Sequence, residues 1–136
     1  MDKELKEKLL ERAKQARERA YTPYSNFPVG AALLTSDGKI YVGCNIENAS
    51  YGLSNCAERT AIFKAVSEGE EDIEAIAVVA DTPRPVPPCG SCRQVIAEFN
   101  PKMQVILGNL KGDTLEDTID NLLPGAFTNE DLRKEE

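Results

Sequence analysis

The sequence predicts an α/β protein, and three observations carry that reading. Apolar residues recur at helical spacing over 2–20, 55–68 and 90–99. Short runs rich in Val, Ile, Leu and Ala, at 29–34, 40–45, 73–81 and 104–107, have the lengths of strands. Their order is helix, two strands, helix, strand, helix, strands, the alternation expected when helices cover a sheet. With 136 residues the chain suits a single domain, 1–136, that buries about two-thirds of its unfolded surface.

In the first helix Leu5, Leu9, Ala13, Ala16 and Ala20 form one stripe, and Lys3, Lys6, Glu7, Lys8 and Glu11 a solvated face. The two prolines of 21–28 make a loop. Strands 29–34 and 40–45 join through Ser36-Asp37-Gly38-Lys39, a hairpin signal. Asn45 and Glu47 follow, two apart and able to face one side. Residues 48–55 are small and polar, with Tyr51 the one large side chain. Ser54 or Asn55 is the expected N-cap of helix 55–68. An acidic run at 68–72 then leads to 73–81, apolar enough to be covered on both faces. Four prolines between 83 and 88 steer the chain into helix 90–99. A strand at 104–107 and a weak one near 113–118 complete the elements, and 128–136 reads as a loose charged tail.

Composition excludes several classes. A net charge of −7 argues against a nucleic-acid binder, whose affinity rests on cations facing phosphate. The longest apolar stretches, 29–34 and 75–80, are too short to span a bilayer. Met1-Asp2-Lys3-Glu4 is charged with no apolar stretch behind it, so we expect no secretory leader and a cytoplasmic protein. In that compartment four cysteines point to metal binding more than to disulfides. Histidine is absent, which removes Ser-His and Cys-His nucleophilic schemes.

Cys56 opens one helix; Cys89 and Cys92 open another, 33 positions on. Positive helix ends favour thiolates, so three of them can face one metal ion from two helix N-termini. Three protein ligands leave a tetrahedral zinc one open position, the mark of a catalytic site. Glu58 stands roughly 200° around an ideal helix from Cys56. In a first turn, however, both side chains lean toward the space before the helix. A free carboxylate there can move protons. Cys44 offers the alternative: with it the count reaches four, as in a closed structural zinc module. Yet Cys44 lies in a strand beside Gly43, where a free cysteine packs as a small hydrophobe.

Cys56-Ala57-Glu58-Arg59 with Pro88-Cys89-Gly90-Ser91-Cys92-Arg93-Gln94 resembles the zinc-dependent nucleoside and nucleobase deaminases. Phe27-Pro28-Val29-Gly30-Ala31-Ala32, Asn45-Ile46-Glu47-Asn48-Ala49-Ser50-Tyr51-Gly52 and Leu122-Leu123-Pro124-Gly125-Ala126-Phe127 narrow the likeness. Together, over about residues 5–128, they resemble the short-chain, homotetrameric cytidine deaminases. That resemblance implies a three-layer α/β/α fold with a mixed five-stranded sheet. It implies one zinc per chain on Cys56, Cys89 and Cys92, with Glu58 as the proton carrier. The expected reaction is hydrolysis of cytidine and 2′-deoxycytidine to the uridines and ammonia, in pyrimidine salvage. Phe27 becomes a platform for the pyrimidine ring, the alternative being a core aromatic. Asn45 and Glu47 would grip ribose hydroxyls, and the backbone at Ala57 would touch the base. Tyr51 and Phe127 would reach into a neighbouring subunit's site.

Three thiolates and Zn²⁺ sum to −1, so something should withdraw charge from the sulfurs. Arg59 resembles the family's arginine that bonds the ligand thiolates, and Gln94 and Arg93 are weaker candidates for that duty. Other readings are a blasticidin-type deaminase, opposed by Phe27, Asn45 and Glu47, and a tRNA or DNA deaminase, opposed by the charge.

Overall fold

A computed structural model describes residues 1–132. The helices are α1 (Lys3–Arg17), α2 (Ala57–Ser67), α3 (Gly90–Phe99) and the short α4 (Ile119–Leu122). The strands are β1 (Val29–Thr35), β2 (Ile40–Cys44), β3 (Ile73–Ala80), β4 (Gln104–Gly108) and β5 (Thr114–Thr118). They form one sheet in the order β2-β1-β3-β4-β5. β3 and β4 run parallel and the other pairs antiparallel. The mixed five-stranded sheet is the one expected.

Alternation along each strand divides the core between the two faces. Ala31, Leu33, Ile76, Val78, Val105 and Leu107 pack under α2 and α3 with Ile62, Ala65 and Ile96. Ala32, Leu34, Ala75, Ala77, Val79 and Ile106 pack on the other face with Leu9 and Ala13 of α1. Two glycines set how closely the layers approach. A Cβ on Gly30 would lie 1.9 Å from the Ala13 carbonyl oxygen of α1. One on Gly43 would lie 2.5 Å from the Ala61 nitrogen of α2. Backbone cannot yield as a side-chain tip can, so both helices require glycine beneath them.

Helix α1 is capped by Asp2, whose Oδ1 accepts the Leu5 N–H at 2.8 Å. It ends at Arg17, short of the expected residue 20. The Arg19 and Ala20 amides bond back to Ala16 and Arg17, a tightened final turn. Tyr21 then bridges to Ile46. At the other end, Asn129–Leu132 is a 3₁₀ turn in which Asp131 accepts the Thr128 N–H. That turn occupies part of the tail expected to be loose; residues 133–136 of that tail lie outside the described residues.

The carboxyl ends of β3 and β4, the start of β1 and the N-termini of α2 and α3 meet at one edge of the molecule. A crevice beyond the carboxyl ends of adjacent strands is where open α/β sheets place ligands.

Candidate active site

Cys56 and Cys89 are themselves the N-caps of α2 and α3, both in extended backbone. This corrects the expectation for Ser54 or Asn55. Asn55 exchanges backbone hydrogen bonds with Ile46, and that bridge delays the helix until Ala57. Neither N-cap uses its side chain on the helix, so unsatisfied N–H groups and the helix dipole face the sulfurs. Cys92, on the first turn of α3, is buried. The three Sγ atoms all lie within 4.8 Å of one another, and Cys56 and Cys89 are 3.9 Å apart. Bonds of about 2.3 Å to one zinc would set tetrahedral thiolates about 3.8 Å apart, so the trio fits that ion.

The Arg59 guanidinium donates from Nη2 to Cys56 Sγ at 3.4 Å. A hydrogen bond from the Cys92 thiol, and then Arg59, hold the Cys56 thiol well below its usual range against the cost of burial. Cys92 moves the opposite way, because it gives that bond, is buried and faces Glu58. Cys56 is therefore the preferred thiolate of the pair. Cys44 lies outside the cluster, on the α1 face of β2 beyond Val42, and burial pushes its thiol up.

Glu58 is 5% exposed, and burial raises its carboxyl to about 7. It opens, with Cys56 and Cys89, onto a cavity of about 340 Å³. Phe27, Asn45, Glu47 and Ala57 line the same cavity. A larger groove of about 740 Å³ along α1 and β5 has lysines and carboxylates but no cysteine.

A family model, the "cytidine and deoxycytidylate deaminase zinc-binding region", matches residues 3–108. The chain belongs to this deaminase family. It is 66% identical to the cytidine deaminase of Sporosarcina psychrophila over 93% of both chains. The crystal structure of cytidine deaminase from Burkholderia pseudomallei superposes with a TM-score of 0.87 at 54% identity, covering 93% of this chain and 100% of that one. A more distant member is the blasticidin-S deaminase of Bacillus cereus, 34% identical over 74% of this chain and 76% of that protein. Relatives of this chain are thus named for more than one substrate, and the walls of the cavity must decide between them.

In this deaminase Asn45 is committed to the loop before β1. Its Oδ1 accepts the Val29 N–H and its Nδ2 donates to the Phe27 carbonyl, both at 2.9 Å. The second Nδ2 hydrogen and one Oδ1 lone pair are left for a ligand. Glu47 accepts the Tyr24 and Ser25 N–H groups at 3.0 and 3.1 Å, and the Ser25 hydroxyl donates to its Oε2. These bonds, that hydroxyl above all, hold the Glu47 carboxyl below its usual range. Ser25 went unnoticed in the sequence; its one signal is its place two residues before Phe27.

Gln94 does not attend the thiolates. Its Nε2 donates to the Phe127 carbonyl at 2.5 Å. Arg93 bonds the Pro88 and Leu122 carbonyls at 2.7 and 2.6 Å. Both therefore tie α3 to the C-terminal segment. The Tyr51 ring meets Tyr24 edge-on at 6.0 Å, and Tyr51 and Phe127 are 75% and 58% exposed. Neither lines the cavity of its own chain.

Proposed function

We propose that this chain hydrolyses cytidine and 2′-deoxycytidine to uridine and 2′-deoxyuridine, releasing ammonia. The observation that carries the reading is a buried carboxylate, Glu58, beside three convergent thiols, on a cavity that Asn45 and Glu47 also line. Cys56, Cys89 and Cys92 would hold zinc, which when bound is a Lewis acid that makes water nucleophilic near neutral pH.

The remaining work falls to the chain's own groups. Glu58 accepts the proton of the attacking water and passes it to ring N3 as C4 becomes tetrahedral. It then takes the proton of the new C4 hydroxyl and delivers it to the amine, which leaves as ammonia while C4 becomes the carbonyl of uridine. A carboxyl poised near 7 can both take and give protons at neutral pH. Arg59 draws charge from Cys56, offsetting the excess negative charge of three thiolates. Phe27 offers an aromatic face to the base. Asn45 presents one donor and Glu47 only acceptors, a pair that suits a sugar hydroxyl, which accepts from one and donates to the other.

Nucleoside is favoured over nucleotide because no lysine or arginine lines the cavity among the described residues, while Glu47 does. A phosphate there would be desolvated without a counter-charge. The exposed Tyr51 and Phe127 support a homotetramer in which neighbours complete each other's sites. We place the protein in the cytoplasm, a compartment that keeps such thiols reduced. No described helix is long and apolar enough to cross a membrane.

The test is zinc per chain together with ultraviolet-monitored turnover of cytidine, deoxycytidine, deoxycytidylate, cytosine and single-stranded DNA. About one zinc and turnover of the two nucleosides are expected. Turnover of deoxycytidylate or DNA alone would refute the reading.

A further inference from the structure

The geometry points to Ser25 as a positioning residue that sets the sugar specificity of the site through Glu47. This rests on the reading of Glu47 as the group that accepts a sugar hydroxyl. The Ser25 hydroxyl makes two bonds at once: it donates to Glu47 Oε2 and accepts the Phe27 N–H at 3.1 Å. Its backbone N–H also reaches Glu47, at 3.1 Å to Oε1. One residue therefore engages both oxygens of the carboxylate and the backbone of the ring platform.

The local chain is shaped to hold it there. Asn26 lies in the left-handed region, φ 55°, which asparagine tolerates better than most residues, and its N–H returns to the Thr22 carbonyl. That turn brings Ser25 back over Glu47, 22 positions away in sequence. Glu47 needs such a clamp because its oxygens have no cationic partner among the described residues. A glutamate side chain left free must lose its rotamer freedom when it binds a ligand. With both oxygens already bonded, Glu47 is ordered in advance and keeps lone pairs for a hydroxyl.

The effect should therefore follow the sugar and spare the base chemistry. Steady-state kinetics on the zinc-loaded enzyme, with cytidine and 2′,3′-dideoxycytidine, separates the possibilities. Ser25→Ala should raise KM for cytidine about tenfold with kcat within threefold of wild type. For 2′,3′-dideoxycytidine, which lacks the hydroxyls, kcat/KM should stay within twofold, which also shows that the variant is folded and zinc-loaded. Ser25→Thr keeps a hydroxyl and should recover most of the cytidine KM. Because Ser25 acts through Glu47, the double variant with Glu47→Gln should be no worse on cytidine than Glu47→Gln alone. Equal losses on both substrates, additive losses in the double variant, or no loss from Ser25→Ala would each overturn the inference. If Glu47→Gln itself harms both substrates alike, the reading of Glu47 as the sugar contact fails instead, and the two failures are told apart.

Discussion

Arg59 Nη2 lies 3.4 Å from Cys56 Sγ, one helical turn back along α2. The third residue of the helix thus reaches to its N-cap, and a guanidinium stands where a capping box would place a carboxamide or carboxylate. The bond pins the sulfur and draws charge from it in the same contact. Arg59→Gln should therefore release zinc faster to a chromogenic chelator and lower kcat by about 10–100-fold, the scale for groups supporting metal ligands. Unchanged zinc release would deny Arg59 this duty.

Glu58→Gln keeps the shape and removes the proton carrier. With zinc retained, kcat should fall by at least about 10²–10⁴-fold. Near-normal turnover in a zinc-replete variant would end the assignment.

The same substitution carries a pH signature in the metal-free chain. Burial lifts the Glu58 carboxyl from 4.5 to about 7, so the folded state disfavours its ionised form. That penalty is absent below pH 4.5, grows as pH rises from 4.5 to 7, and is complete above it, at roughly 3 kcal/mol. Glutamine carries no such penalty. Thermal melts of chelated protein should show Glu58→Gln more stable than wild type at pH 8, with the advantage gone near pH 4. An advantage independent of pH would contradict the burial of a titrating carboxyl.

Cys44 lies outside the sulfur cluster. Cys44→Ser should leave about one zinc per chain and most of the activity. Serine at position 56, 89 or 92 should lose both together. Equal zinc loss from Cys44→Ser, measured by elemental analysis, would sink the three-thiolate site.

Phe127 is exposed in its own chain, and Gln94 holds its carbonyl. Glu58→Ala chains keep Phe127, and Phe127→Ala chains keep the proton carrier. If the chain assembles as the proposed homotetramer, each parent variant should be impaired, the second by a stacking loss of about 1 kcal/mol or more. Hybrids formed by subunit exchange should regain activity, since some sites then pair an intact Glu58 with a neighbour's intact Phe127. No recovery in hybrids verified by native mass spectrometry would show that each chain completes its own site.

Local pattern determined much of this protein. Apolar pattern placed α2, α3 and β1 to β4 to within about two residues, because burial of one face imposes the same spacing wherever a helix meets a sheet. By contrast, β5 is largely exposed and read only as a weak strand. The cysteines and Glu58 were legible for a related reason: first-turn residues point toward their own helix end whatever surrounds them. The duty of Arg59 came from the family resemblance. Tertiary structure alone decided the rest. It brought Cys56 and Cys89, 33 residues apart, to 3.9 Å by setting two helix N-termini side by side. It ended α1 at Arg17 through the bridge of Tyr21 to Ile46, and moved the α2 cap to Cys56 through the bridge of Ile46 to Asn55. It turned Gln94 and Arg93 to the carbonyls of Phe127 and Leu122, and gave Glu47 the hydroxyl of Ser25. A long polar side chain bonds whichever complementary group the folded chain brings within about 3 Å, and residue type and spacing do not specify that group.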